Sequence, residues 1–327
     1  MANRRTDPSK TATLRAGAVA ETKRRFKRLR REVLKLIVKQ DALGLKVGKA
    51  TGVLKLLGNT IWAARTNPDK VKEFRAWLQE MVDTGILETT GSGDPWTNKY
   101  IESAYRKGLV RSYVDTRRAD LDKAEDVLGM TQSEFLGSTF RTTESVQRLE
   151  LLYTRTWTDL EGVTNAMQTA MSRSVTQGLA DGLSPRDIGK NLARDIDNIG
   201  INRATTIART EIARAQSEGQ LDGFEDAGIL ELTVLAEWST AGDDKVCPLC
   251  LPLEDKVFTI KEARSLLPRH PNCRCAWIPA NVGEETPKGR GGRPAAVRKS
   301  LKAEGQGTQW KGQTLTKKKS PPTPSSV

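Results

Sequence analysis

A chain of 327 residues can hold two domains, or one domain with arms, and 37% apolar with 5% aromatic residues supports only a modest core. No apolar run of about 18 residues is present, which excludes a transmembrane helix; the opening Met-Ala-Asn-Arg-Arg lacks a signal-peptide stretch, so a cytosolic protein with reduced thiols and no membrane contact is expected. The net charge of +13 is polarised: residues 1–40 carry +10, residues 288–327 carry +9 and the stretch between them −6, a pattern of basic arms on an acidic body that points to a polyanion.

Residues 1–17 read as disordered. A helix is predicted over 21–40, where Phe26, Leu29, Val33, Leu36 and Ile37 make one apolar stripe. Basic residues cover much of the rest of it, and Arg24, Arg25, Arg28 and Arg31 are its candidate DNA contacts. The Gly-, Lys- and Leu-rich stretch 42–60 fits a short helix or a loop. Further helices are predicted at 68–84, 96–111, 117–128, 131–137 and 142–180. Ser184 and Pro185 open a helix by capping and by pre-set backbone, and Gly200 is expected to close it. A helix over 203–227 follows and contains Arg209-Thr210-Glu211, which reads as ordinary exposed surface.

The periodicity then changes from helix to strand. Leu232, Val234, Ala236 and Trp238 alternate with polar residues. A short return strand is predicted at 256–259, then a helix to Leu267 opened by a Thr259/Glu262 capping box, and a last strand at 276–278. Beyond Pro279 the chain is Gly-, Lys-, Arg- and Pro-rich and cannot bury enough surface to offset its ordering entropy. Lys317, Lys318 and Lys319 are its candidate DNA contacts.

All four cysteines and the one histidine fall in two short knuckles, Cys247-Pro-Leu-Cys250 and His270-Pro-Asn-Cys273-Arg-Cys275. Clustered thiol and imidazole ligands at this spacing point to a structural Zn²⁺, with Cys247, Cys250 and Cys273 completed by His270 or Cys275. Free thiols or a disulfide are the alternative. For catalysis, His270 would need an orienting partner such as Asp243, Asp244 or Asn272, and no complete catalytic set is visible.

The order Ala208-Arg209-Thr210-Glu211, Trp238, Asp243-Asp244-Lys-Val-Cys247-Pro-Leu-Cys250 and Leu267-Pro-Arg-His270-Pro-Asn-Cys273-Arg-Cys275 resembles the phage Mu F-like head morphogenesis family. The resemblance is sharpest over about 200–280 and looser upstream. It implies a virion structural protein, without enzymatic activity, that associates with the portal and with capsid or scaffold proteins and assists head assembly or DNA packaging or delivery. Non-specific double-stranded DNA is the expected polyanion, and the procapsid or head interior the expected location. Two alternatives stand beside it: a zinc-dependent nuclease or peptidase, and a cytosolic non-specific DNA-binding protein.

The expected fold is mainly α: a helical body with a small C-terminal α+β zinc-knuckle-like module and disordered basic termini. The expected units are a basic arm with its amphipathic helix (1–66), a helical body (67–200), the module with the Cys/His knuckles (201–282) and a basic tail (283–327).

Overall fold

A computed structural model describes residues 7–45, 68–118, 130–229 and 234–281. The described chain is mainly helical with one small sheet. In order it runs α1 (Ala12–Leu34), α2 (Pro68–Gly85), α3 (Asn98–Arg118), α4 (Gln132–Thr139), α5 (Thr143–Ala180), α6 (Pro185–Asp195), α7 (Asn202–Ile229), β1 (Val234–Ser239), β2 (Val257–Phe258), α8 (Ile260–Ala263) and β3 (Ala276–Asn281).

The first departure from expectation is at the N-terminus. Residues 7–17 are built into the fold, with Asp7, Ser9 and Thr11 buried and α1 starting at Ala12. The Asp7 carboxylate accepts from the Ala12 backbone N–H at 2.7 Å and from Arg15 at 2.7 Å. It thus satisfies a free donor at the positive end of α1. The cap comes from five residues upstream of Ala12, outside the local pattern by which helix starts are read. The stripe of α1 behaves as expected: Phe26, Leu29, Val33 and Ile37 are buried and Leu36 packs beside them. The last turn, Lys35–Lys39, widens into a π-helix.

The second departure is at Gly200, which does not close α6. The chain passes through a π turn (Ile196–Ile201) straight into α7. A Cβ at Gly200 would lie 2.6 Å from the Phe26 ring and 2.8 Å from Met167 Sδ. The glycine serves a close crossing between elements, and no helix stop occurs there. The third departure is α8, which ends at Ala263 well short of Leu267. Arg264 turns out of the helix (ψ 138°) and reaches Glu218, Asp222 and Glu225 on α7. Three ion pairs outweigh another turn of a four-residue helix.

α7 is the spine of the molecule. Ala204 near its start lies in the core beneath α1, α2, α5 and α6; Ile212 and Ala215 lie in the core beneath α3 and α5; Leu221 and Phe224 lie in the core of the sheet module. α3 runs against α7 at a separation that only glycine allows. A Cβ at Gly108 would sit 2.2 Å from the Gln216 carbonyl oxygen, and one at Gly219 would sit 2.2 Å from the Tyr105 carbonyl oxygen.

The sheet is antiparallel in the order β2-β1-β3, with Trp238 opposite Trp277. Their rings meet edge to face at 5.3 Å. Both are fully buried, as is Ala236, so the alternation read in 232–238 is present over 235–239, while Leu232 lies outside the described residues. Of the expected elements at 42–60 and 117–128, the parts beyond residues 45 and 118 lie outside the described residues, as does the tail 283–327. No described helix is long and apolar enough to cross a membrane.

Candidate metal centre

The two knuckles meet. β1 leads into the first and β3 leaves the second, so pairing of these neighbouring strands brings together ends that are distant in sequence. The first knuckle is a tight turn in which the Cys250 and Leu251 N–H groups both donate to the Cys247 carbonyl at 3.0 Å. The second is held by the Cys273 N–H donating to the His270 carbonyl at 3.2 Å, with Asn272 in the left-handed region at φ 62°.

The donor atoms of Cys247, Cys250 and His270 lie within 4.8 Å of one another, and so do those of Cys250, Cys273 and Cys275. Cys250 belongs to both sets. Its Sγ is 3.9 Å from that of Cys273. That is too long for a disulfide, whose sulfurs stand about 2.05 Å apart. It matches the edge of about 3.8 Å expected between two thiolates at about 2.3 Å from one tetrahedral ion. The cysteines are free thiols. The cluster is thus able to hold a metal ion.

The three clustered thiols differ in their electrostatics, and only Cys273 is shifted toward thiolate. Hydrogen bonds with the Cys250 and Cys275 thiols hold the Cys273 thiol well below its ordinary value; burial opposes this, and the backbone N–H groups of Cys275 and Arg269 reinforce it. Cys250 is pushed up by the same contacts with Cys273 and Cys275 and by burial. At Cys275 the hydrogen bond with Cys250 is outweighed by Cys273 and by burial, and the value rises. Arg15 on α1, itself depressed by burial, feels both Arg274 and the Cys273 thiol. Cations therefore face the sulfurs from two elements.

His270 Nδ1 lies 2.8 Å from the Pro271 carbonyl oxygen. A carbonyl accepts only from N–H, so this contact puts the proton on Nδ1 and leaves the Nε2 lone pair free for a metal. Of the residues considered as orienting partners for His270, Asp243 is gripped by Arg274 through two 2.7 Å bonds, which hold its carboxyl below the usual range. This bidentate pair ties the turn before the first knuckle to the middle of the second. Asp244 is exposed, and the backbone of Asn272 is bound by α7.

Several supporting residues were not visible as such in the sequence. The Arg209-Thr210-Glu211 segment is not ordinary exposed surface. Thr210 Oγ1 accepts from the Asn272 N–H at 3.1 Å, while its own hydroxyl donates to the Thr206 carbonyl at 2.7 Å. Glu211 is buried and paired with Arg155 and Arg214, and burial raises its carboxyl despite them. Gln220 brackets the Trp277 backbone, donating to its carbonyl and accepting from its N–H, and the Trp277 indole donates to Ser217 at 2.9 Å. The signal for these was present only as polar residues on a helix already assigned.

Of the candidate DNA contacts on α1, Arg28 is exposed, and Arg24 and Arg31 are exposed beside Glu21 and Glu32 respectively. Arg25 is occupied elsewhere. It binds Glu21, Glu88 and the Gly85 carbonyl and covers the Trp96 ring at 4.6 Å, so it serves packing between α1 and α2. Lys317, Lys318 and Lys319 lie outside the described residues.

Residues 169–278 match the protein family described as Phage Mu protein F like protein. The matched stretch takes in the last third of α5, α6, α7, both knuckles and the start of β3. No curated protein and no solved structure gives a significant match.

Proposed function

Because residues 169–278 match the Phage Mu protein F like family, we propose that this chain is a minor head protein of a tailed phage, acting in head morphogenesis as a structural component of the virion. The family match carries this reading; the convergence of the two knuckles supports it, because the cluster lies wholly within the matched stretch. The helical body and the sheet module dock on the portal and on capsid or scaffold protein. The basic segments contact packaged double-stranded DNA without reading its sequence, since phosphate contacts carry no base information. Co-sedimentation of the purified chain with empty heads and with portal tests the proposal. Failure to associate with either would overturn it.

Zn²⁺ is the ion proposed for the cluster. When bound it supplies a cross-link between the first and second knuckles, and ligation free energy at such a site is folding free energy. Cys250 is common to both donor sets and is the ligand the site cannot do without. Cys247 and Cys273 supply two of the three remaining tetrahedral positions, and His270 or Cys275 the last. Cys250→Ser is therefore expected to abolish stoichiometric zinc and unfold residues 234–281. His270→Ala and Cys275→Ser are expected to weaken binding and leave a folded module. Metal analysis with near-UV circular dichroism reads both outcomes; full zinc content in Cys250→Ser would refute the assignment.

A further inference from the structure

An unassigned basic groove crosses the helical body. It has two compartments of about 610 and 620 Å³ that share Arg75 and Arg173 in their walls. The first lies between α2 and α5; the second continues between α5 and α6, where Arg194 joins the lining. Arg75, Arg173 and Arg194 are exposed, and none makes an ion pair with a described residue. No carboxylate lines the first compartment. The second has Asp181, which accepts from Gln177 at 2.7 Å. Three unneutralised guanidiniums along one open groove make a row of anion contacts.

We propose that this groove seats the phosphate backbone of a DNA duplex. The inference rests on the reading that the protein contacts packaged DNA, and it places part of that contact on the folded body instead of the terminal arms. The lining favours a duplex over the other polyanions. No aromatic side chain lines either compartment, so nothing offers the stacking platform that single strands require. Leu78 and Leu183 are the only large apolar side chains, too few to enclose a nucleotide base. Guanidiniums spaced along an open trough suit a repeating phosphate ligand.

The test is equilibrium binding of the full chain to a random-sequence fluorescent duplex across a salt series. The variant Arg75→Gln/Arg173→Gln/Arg194→Gln is compared with Lys107→Gln/Lys245→Gln/Lys261→Gln, which removes three exposed charges outside the groove. Loss of three phosphate contacts lowers the salt slope by about 2.7 and weakens binding on the order of 100-fold at 0.1 M salt, whereas the lysine variant retains most of its affinity. Arg173→Gln alone, at the shared wall, lowers the slope by about 0.9 and guards against loss of folding in the triple variant. Equal losses in the two triple variants would reduce the effect to net charge and overturn the proposal. So would displacement of the duplex by millimolar inorganic phosphate at constant ionic strength. A groove variant that binds like the wild type would overturn this proposal while leaving arm-driven DNA contact intact. A wild-type chain that does not bind duplex at all would overturn both.

Discussion

Glu21 shows how one residue can gather several elements. It accepts from Tyr100 at 2.9 Å and Lys99 at 3.1 Å on α3 and from Arg25 at 3.0 Å on its own helix. Burial alone would raise its carboxyl, but these hydrogen bonds outweigh burial and hold it at about 2, below the ordinary value of 4.5. A carboxylate whose folded value is depressed adds stability above its unfolded value and loses it as pH falls through the folded one. With solvent screening discounted, Glu21→Gln should cost on the order of 2 kcal/mol at pH 7, and the difference from wild type should shrink between pH 4.5 and pH 2. Urea melts at pH 7, 4 and 2.5 check this; a constant difference across the series would contradict it. At the metal cluster the residue-scale lesson is the central place of Cys250, which neither knuckle's spacing singles out. Cys-x-x-Cys makes its two sulfurs equivalent in sequence; only the approach of the second knuckle makes one of them common to both donor sets.

Among the elements, the α3–α7 contact sets the strictest limits. Gly219→Ala forces a methyl against the Tyr105 carbonyl, which cannot retreat without moving α3. The expected cost is about 3 kcal/mol, read as a lowered urea midpoint. Gly162 on α5 gives the opposite result, because a methyl placed there would have nothing within 4 Å and the residue sits exposed in mid-helix. Gly162→Ala should stabilise by about 1 kcal/mol through helix propensity alone. Opposite signs for the same substitution in two helices would confirm that helix separation, not helix formation, decides the first. The polar seam of the same region matters to the module. Arg264 binds Glu218 and Asp222 on α7, and Arg148 on α5 reaches the same two carboxylates. The body and the metal-bearing loops thus share one ion-pair network, with Tyr105 donating into it at Asp222.

Across the whole molecule, charge and core are separated. The apolar cores lie in the described body and module, while residues 288–327 carry a net +9 and only scattered large apolar side chains: Val297, Leu301, Trp310, Leu315 and Val327. Deleting 288–327 should weaken duplex binding and flatten its salt dependence while leaving the melting temperature within error of the full chain. A large fall in melting temperature would show that the tail packs. Chelation should do the reverse: it should melt the 234–281 module without altering the charge available to DNA, since none of the proposed ligands is cationic in the metal-bound state.

Local order was largely legible in the chain. The stripe of α1, the Ser184 and Thr259 caps, the switch from helical to alternating periodicity before Trp238, and the ligand spacing within each Cys/His knuckle all depend on neighbours a few residues apart, and each is present. What only the tertiary structure decided are contacts between distant segments: Asp7 capping α1, Gly200 yielding to Phe26, Arg264 ending α8 early, and Thr210 holding the second knuckle from below. A sequence displays periodicity and spacing along one dimension. It does not display which helix will lie close enough to require a glycine, or which buried polar group will be waiting for a partner, because those follow from how the faces are brought together.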